Sequence, residues 1–263
     1  MFKKFRSMMV VTAFLLSLAL IAGCGQQKQQ TAPANSGKKV VKIGSETTFP
    51  PFEFQDEKTQ EYVGFDIDLA KAVFAKAGYE PQVLSMNFDG LIPALQAGTI
   101  DAIISGMQIT DERSQKVLFS KPYYESGQNI LVRSDNTTIQ NWNDLEGKKI
   151  AVQIGTTGAA EAKKVPNATI REYNNTSEAN LELKAGGVDA VVNSVPVNAF
   201  YLKNGGGAKD AKMVGDVRRA LFCGIAVNKN NTEMVEKINK ALDELKQNGE
   251  YDKIYEKWFG KKP

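Results

Sequence analysis

The chain contains no histidine and only two cysteines in 263 residues. Without histidine it lacks the commonest metal ligand and the usual general base near neutral pH, which argues against a metal centre or a histidine-dependent enzyme. One cysteine, Cys24, lies at the end of an apolar leader, so Cys223 is left without a partner and no intramolecular disulfide is possible in the folded part. Cys223 sits in the apolar run Ala220–Val227, which suits a buried, inert thiol. A charge surplus is also missing once the leader is removed. The formal charge of +3 includes Lys3, Lys4 and Arg6 of the leader; their removal takes 33 basic residues to 30, equal to the 30 acidic ones. A neutral mature chain gives no electrostatic case for nucleic acid.

Long apolar runs are confined to that leader. Lys3, Lys4 and Arg6 precede an apolar stretch, Met8–Ala22, which ends in Leu-Ile-Ala-Gly-Cys24. A positive start, a short apolar core and small residues before a cut make a signal peptide over residues 1–23. The core is shorter than the roughly 20 residues that span a bilayer. Residues 25–37 hold no large apolar side chain and read as a flexible tether. The remaining 38–263 are long enough for two lobes.

An internal repeat supports two lobes. Leu95-Gln-Ala-Gly-Thr-Ile-Asp-Ala-Ile-Ile-Ser105 recurs as Leu183-Lys-Ala-Gly-Gly-Val-Asp-Ala-Val-Val-Asn193. Each copy reads as a helix end, a capping glycine and a short buried strand opened by Asp-Ala. A weaker echo pairs Gly37-Lys-Lys-Val with Gly147-Lys-Lys-Ile. Helical periodicity over Phe65–Ala77 and Phe88–Ala97 alternates with short apolar strands. This predicts an α/β protein with two similar lobes and mostly parallel sheets. Ligands of such sheets lie beyond the carboxyl ends of the strands, which places Ser45-Glu46-Thr47, Ser105-Gly106-Met107-Gln108, Gln153–Gly158 and Asn193-Ser194 around a cleft.

At these loops the sequence resembles the polar amino-acid-binding proteins of ABC importers, the group that holds the glutamine and the lysine/arginine/ornithine binders. The matching stretches are Glu46-Thr-Thr-Phe-Pro-Pro-Phe-Glu-Phe54, Val63-Gly-Phe-Asp-Ile-Asp-Leu69, Phe88-Asp-Gly-Leu-Ile-Pro-Ala-Leu95, Ile109-Thr-Asp-Glu-Arg113 with Phe119-Ser120, and Asn248–Gly260. The Cys24 box likewise resembles a lipobox, which implies lipidation of Cys24 and anchoring at the outer face of the cytoplasmic membrane or in the periplasm. The resemblance implies a periplasmic-binding-protein type fold: lobe 1 from 38–122 and 224–263, lobe 2 from 128–218, and a two-strand hinge at 123–127 and 219–223. It further implies capture of a small amino acid by hinge closure, delivery to an ABC permease, no cofactor and no metal. A monomer is expected.

By resemblance, Arg113 holds the ligand's carboxylate, a geometry that suits a guanidinium fork. Thr156 and Thr157, at a helix start with free N–H groups, join it. Phe49 and Phe88 match an aromatic pair around the ligand side chain, with Glu46, Gln153 and Asn193 at its far end. Gly106, Gln108 and Ser194 face the ligand's ammonium. Ser194 is a departure, because the family usually has an aspartate there. Counting Arg113 against Glu46 then favours a neutral, glutamine-like ligand, while the position of Glu46 allows a basic one. Two other readings share the fold: a cyclohexadienyl dehydratase-like enzyme, which requires an acid in the cleft, and a ligand-sensing binding protein uncoupled from transport. Replacing Cys24 with alanine should release the protein or block its processing, and wild-type protein should incorporate radiolabelled palmitate; absence of label would refute lipidation.

Overall fold

A computed structural model describes residues 37–204 and 206–261; the leader, Cys24 and most of the tether lie outside the described residues. Two five-stranded sheets carry the fold. In the first, Tyr79–Ser85, Lys39–Ser45 and Ala102–Ile103 run parallel, and Ala226–Asn228 lies antiparallel between Ala102–Ile103 and Val117–Phe119. In the second, Thr169–Tyr173, Lys149–Gln153 and Ala190–Ser194 run parallel, followed by two long antiparallel strands, Tyr124–Arg133 and Ala211–Cys223. The predicted two-lobed α/β architecture is present, and each sheet adds antiparallel strands to its parallel core. These antiparallel strands carry the chain out of the first sheet and back again, which a purely parallel sheet cannot do.

The repeat has a physical basis at matching places. Asp101 caps the amide of Lys42 at 2.8 Å, and Asp189 caps the amide of Lys149 at 2.9 Å. In return, the amides of Asp101 and Asp189 each donate to the carbonyl of that same lysine at 2.8 Å. The Asp-Ala pair thus locks each central strand onto its neighbour at the first rung. This register aligns Ile43 with Ala102, and Ile150 with Ala190. Lys42 therefore matches Lys149, and the two Gly-Lys-Lys starts lie three residues out of step. That weaker echo is a coincidence of composition rather than a structural equivalence.

Each sheet buries apolar side chains on both faces. Val41, Ile43, Phe65, Val73, Phe74, Ile238 and Leu242 form one side of the first sheet's core; Leu91, Leu95, Ile100, Ile103 and Met107 form the other. Ile130, Val132, Ile150 and Val192 oppose Leu131, Ala151, Leu183 and Val191 across the second. Continuous apolar runs such as Ala102-Ile103-Ile104 and Ala190-Val191-Val192 follow from burial on both faces. The helix predicted from Phe65 extends to Lys76, and that predicted from Phe88 forms as a short 3₁₀ turn followed by Leu91–Gln96.

The carboxyl end of Lys39–Ser45 is held by a small antiparallel sheet of Thr48–Phe49, Glu53–Gln55 and Tyr62–Val63. Gly64 joins this sheet to helix Phe65–Lys76 with φ 134°, and a Cβ there would fall 2.1 Å from the carbonyl oxygen of Phe52. That carbonyl accepts the amide of Asp66 at 2.8 Å, so the close approach fixes both Phe52 and Asp66. Gly64→Ala combines a backbone conformation unfavourable to side chains with a clash against main chain. It should cost about 2–5 kcal/mol of stability, read from denaturant midpoints; a loss under about 1 kcal/mol would show that the strap yields freely.

Candidate functional site

The carboxyl ends of the parallel strands in both sheets meet at one pocket. From the first sheet's side, Phe49, Phe88, Gly106, Gln108 and Arg113 line it; from the second, Gln153, Thr156, Thr157, Asn193 and Ser194 do. Ten of the eleven residues expected at the ligand therefore share one wall system. The eleventh, Glu46, is not on that wall: it is buried beside it, where Thr48 Oγ1 donates to its Oε1. Its other oxygen, Oε2, is buried with no hydrogen-bond partner among the described residues. Burial raises the Glu46 pKa, and hydrogen bonds from Thr48 and Gln153 oppose that shift.

Arg113 is placed by a short helix, Asp111–Lys116, whose N-cap is Thr110; the Thr110 hydroxyl accepts the Arg113 amide at 3.2 Å. Its guanidinium lies over the Phe88 ring, 5.2 Å from the centroid. Nη1 donates to the Gln108 carbonyl at 2.7 Å, and Nη2 donates to the Gly155 carbonyl of the other lobe at 3.0 Å. Both partners are neutral, and Arg113 forms no ion pair among the described residues. Burial is the main cause lowering its pKa, to about 10, so it stays a cation at neutral pH. A guanidinium has five donors, and the two carbonyls leave it able to grip a carboxylate. The facing helix, Thr157–Ala162, starts at the same spot, with Thr156 as its N-cap accepting the Ala159 amide at 3.1 Å.

Beside Arg113 the pocket is lined by a net of neutral polar groups. Gln108 Nε2 donates to the Ser126 carbonyl at 2.6 Å, while its Oε1 accepts from Gln128 Nε2 at 3.2 Å and from the Thr157 hydroxyl. Its amide is thus engaged by the protein at both ends, so an ammonium role for the Gln108 side chain requires exchanging one of these bonds. Ser194 Oγ pairs with Ser126 Oγ at 2.7 Å, and Asn193 Oδ1 accepts the Ser194 amide at 2.8 Å. Gly106, at φ +52°, packs so closely on Phe49 that a Cβ would lie 3.2 Å from its ring. The Gly106 carbonyl accepts only the weak donor Cys223 Sγ, at 3.3 Å.

Sequence reasoning placed Ser105 at the cleft without a role and missed Phe52, Ser126, Gln128 and Cys223, which also line the pocket. Gln128 carried a signal: the polar pair Gln128-Asn129 directly precedes the apolar run Ile130-Leu131-Val132, and all five are buried in strand Tyr124–Arg133. It missed Glu53 and Asp66 as well, both fully buried behind Ser105 and Gly106. Asp66 stands in a run of apolar helix residues, where a buried carboxylate is costly unless something demands it.

Two α/β lobes that meet at a cleft lined by a buried, carboxylate-free arginine define a solute-binding protein. The family model of the bacterial extracellular solute-binding proteins, family 3, matches residues 41–261, and the chain belongs to that family. It is 35% identical to a probable histidine-binding protein of Campylobacter jejuni over 94% of this chain and 97% of that protein. Among solved structures, an ancestral arginine-binding protein bound to glutamine is 49% identical, with a TM-score of 0.82 over 85% of this chain and 99% of that one. The same ancestral protein bound to arginine gives 49% identity and a TM-score of 0.81, with the same coverage.

Cys223 lines the pocket yet is buried, and burial pushes its pKa well above the ordinary thiol value. Thiolate is the reactive form. The mature protein lacking Cys24 should therefore resist iodoacetamide at mildly alkaline pH and label fully in denaturant; rapid labelling of the native protein would show that the pocket floor opens.

Proposed function

We propose that the chain captures an amino acid outside the cytoplasm, by closure of its lobes about the two crossing strands, and delivers it to an ABC permease as a lipid-anchored, monomeric binding protein. The observation that carries this reading is Arg113: a buried cation with carbonyl partners only, on the line where the lobes meet. A charge in that position is costly until an anion joins it. An α-carboxylate fits the guanidinium fork and the amides at the start of helix Thr157–Ala162 together. Lobe closure around the ligand is the corresponding motion, with segments 123–127 and 219–223 as the hinge. Turnover is not part of this reading, since the second-lobe wall offers Asn193 and Ser194 and no acid to donate a proton.

A basic amino acid is favoured over glutamine. Counting only Arg113 and Glu46 leaves the site neutral and points to a neutral ligand. The Asp66 carboxyl, which accepts the Gly106 amide, brings further negative charge behind the wall, and surplus negative charge favours a ligand of net charge +1. The partnerless Glu46 Oε2 is the acceptor for the side-chain cation. The names of the histidine-binding and arginine-binding relatives agree with this preference. A relative bound to glutamine keeps the neutral ligand as the second reading, with amides such as Gln153 and Asn193 to receive it.

Titration calorimetry against the twenty amino acids tests the reading. Arg113→Ala should weaken binding of the preferred ligand by about 3–5 kcal/mol, or two to three and a half decades. A loss under about tenfold would remove Arg113 from the ligand. Glu46→Gln should lower affinity for arginine relative to glutamine by about tenfold or more, and an unchanged ratio would leave Glu46 without a ligand role.

A further inference from the structure

Behind the pocket wall lies a pair of buried acids to which the resemblance assigns no task. Asp66 Oδ2 accepts the Gly106 amide at 2.6 Å and the Tyr123 hydroxyl at 2.7 Å. Glu53 Oε1 accepts Ser105 Oγ at 2.7 Å, and Ser105 Oγ in turn accepts the Glu46 amide at 2.9 Å. Asp66 Oδ1 and Glu53 Oε2 are buried with no other hydrogen-bond partner among the described residues. A single proton shared between these two oxygens satisfies both. Burial raises both pKa values, and the Asp66 charge pushes Glu53 further up, whereas hydrogen bonds from Gly106, Tyr123 and Glu53 hold Asp66 down. Asp66 accepts two hydrogen bonds from protein donors and Glu53 one, which favours the negative charge on Asp66 and the proton on Glu53.

That charge is one residue from the ammonium end of the site. Gly106 offers a carbonyl with spare capacity there, Gln108 has its amide engaged, and Ser194 contributes a hydroxyl where the resemblance leads one to expect an acid. An α-ammonium enclosed among these neutral groups needs a countercharge in the low-dielectric interior. We propose that Asp66 supplies that countercharge across the Gly106 turn, in place of an acid at Ser194. This rests on the amino-acid reading above. Asp66 acts without touching the ligand, and Glu53 acts as the neutral hydrogen-bond donor that keeps it ionised.

Other groups around Asp66 do not supply the charge themselves. Glu53 faces it from the small sheet, Tyr123 and Tyr124 from the outgoing crossing strand and its lead-in, Cys223 from the returning strand, and Tyr251 from the C-terminal helix. Burial raises the pKa of all four of these tyrosine and cysteine side chains, so they stay neutral. Glu46 acts on Glu53, and Arg113 acts on Cys223 from the far side. Asp66 forms no ion pair among the described residues.

The sign of the pH effect follows. An ammonium beside Asp66 favours its carboxylate, so the raised pKa falls when ligand binds. Below the pKa of the free protein, binding expels the Asp66 proton to water, and affinity weakens as pH falls. The ratio of affinities for arginine and for 5-guanidinopentanoate, which is arginine without its α-amine, isolates this effect. Glu46 and Arg113 act on both ligands and cancel in the ratio. Measured by calorimetry between about pH 5.5 and 8, the ratio should fall on acidification in the wild-type protein. Asp66→Asn should lower it by about tenfold at neutral pH and flatten its pH dependence. Adding Ser194→Asp to that variant should restore the ratio by placing a carboxylate directly at the ammonium. A ratio independent of pH in the wild type would overturn the proposal without any variant. Failure of Ser194→Asp to restore it in a folded Asp66→Asn protein would do the same. If wild-type protein binds neither arginine nor any other amino acid, the amino-acid reading itself falls, and this inference with it.

Discussion

Arg113 is the constraint around which the cleft is organised. Its guanidinium is taken out of water by Phe88 on one side and by the second lobe on the other, yet it meets only carbonyl oxygens. Neutral carbonyls can hold its geometry and cannot balance its charge. An interface that buries such a cation is at its best only when an anion arrives. The contact of Arg113 Nη2 with Gly155 shows how little separates the two lobes there: a Cβ on Gly155 would lie 3.1 Å from the Cβ of Asp89. Glycine at 155 is what lets the second lobe reach the arginine.

The rest of the architecture serves that meeting point. In each lobe an Asp-Ala step, Asp101 or Asp189, locks a central strand to its neighbour, so the strand ends that carry Ser105-Gly106 and Asn193-Ser194 are fixed by core packing. The small sheet and Gly64 brace Phe49 and Phe52 on the first lobe. Two crossing strands pair Ser126 with Leu221 and Tyr124 with Cys223, with register shifts beyond Leu221. The ladder is continuous from Leu221 to Cys223, and its shifts fall between Val214 and Leu221.

Much of this was legible in the sequence because it is encoded locally. The repeat gave two lobes, since an Asp-Ala step before Ile/Val residues has one structural meaning in a parallel sheet. Ile-Thr-Asp-Glu-Arg113 marked the arginine by its resemblance, and the structure adds that Thr110 caps its helix. What stayed hidden depends on contacts between distant residues. Asp66 and Glu53 are 13 residues apart in sequence and look like a helix-start acid and a strand-start acid; only the fold buries them together behind Ser105 and Gly106. Counting Glu46 alone against Arg113 is what tilted the ligand expectation toward glutamine. Gly37 and Gly147 show the opposite error, where similar letters imply a correspondence that the strand register does not keep.

On the proposed reading each charge of a basic amino acid meets a protein group: the carboxylate Arg113, the side-chain cation Glu46, the ammonium Asp66. The carboxylate is the partner that completes the buried arginine. Calorimetric comparison of arginine with agmatine, the same molecule without its carboxylate, tests this on the unaltered mature protein. The account predicts that agmatine binds at least about a hundredfold more weakly. Equal affinities would show that Arg113 closes the cleft for some other reason.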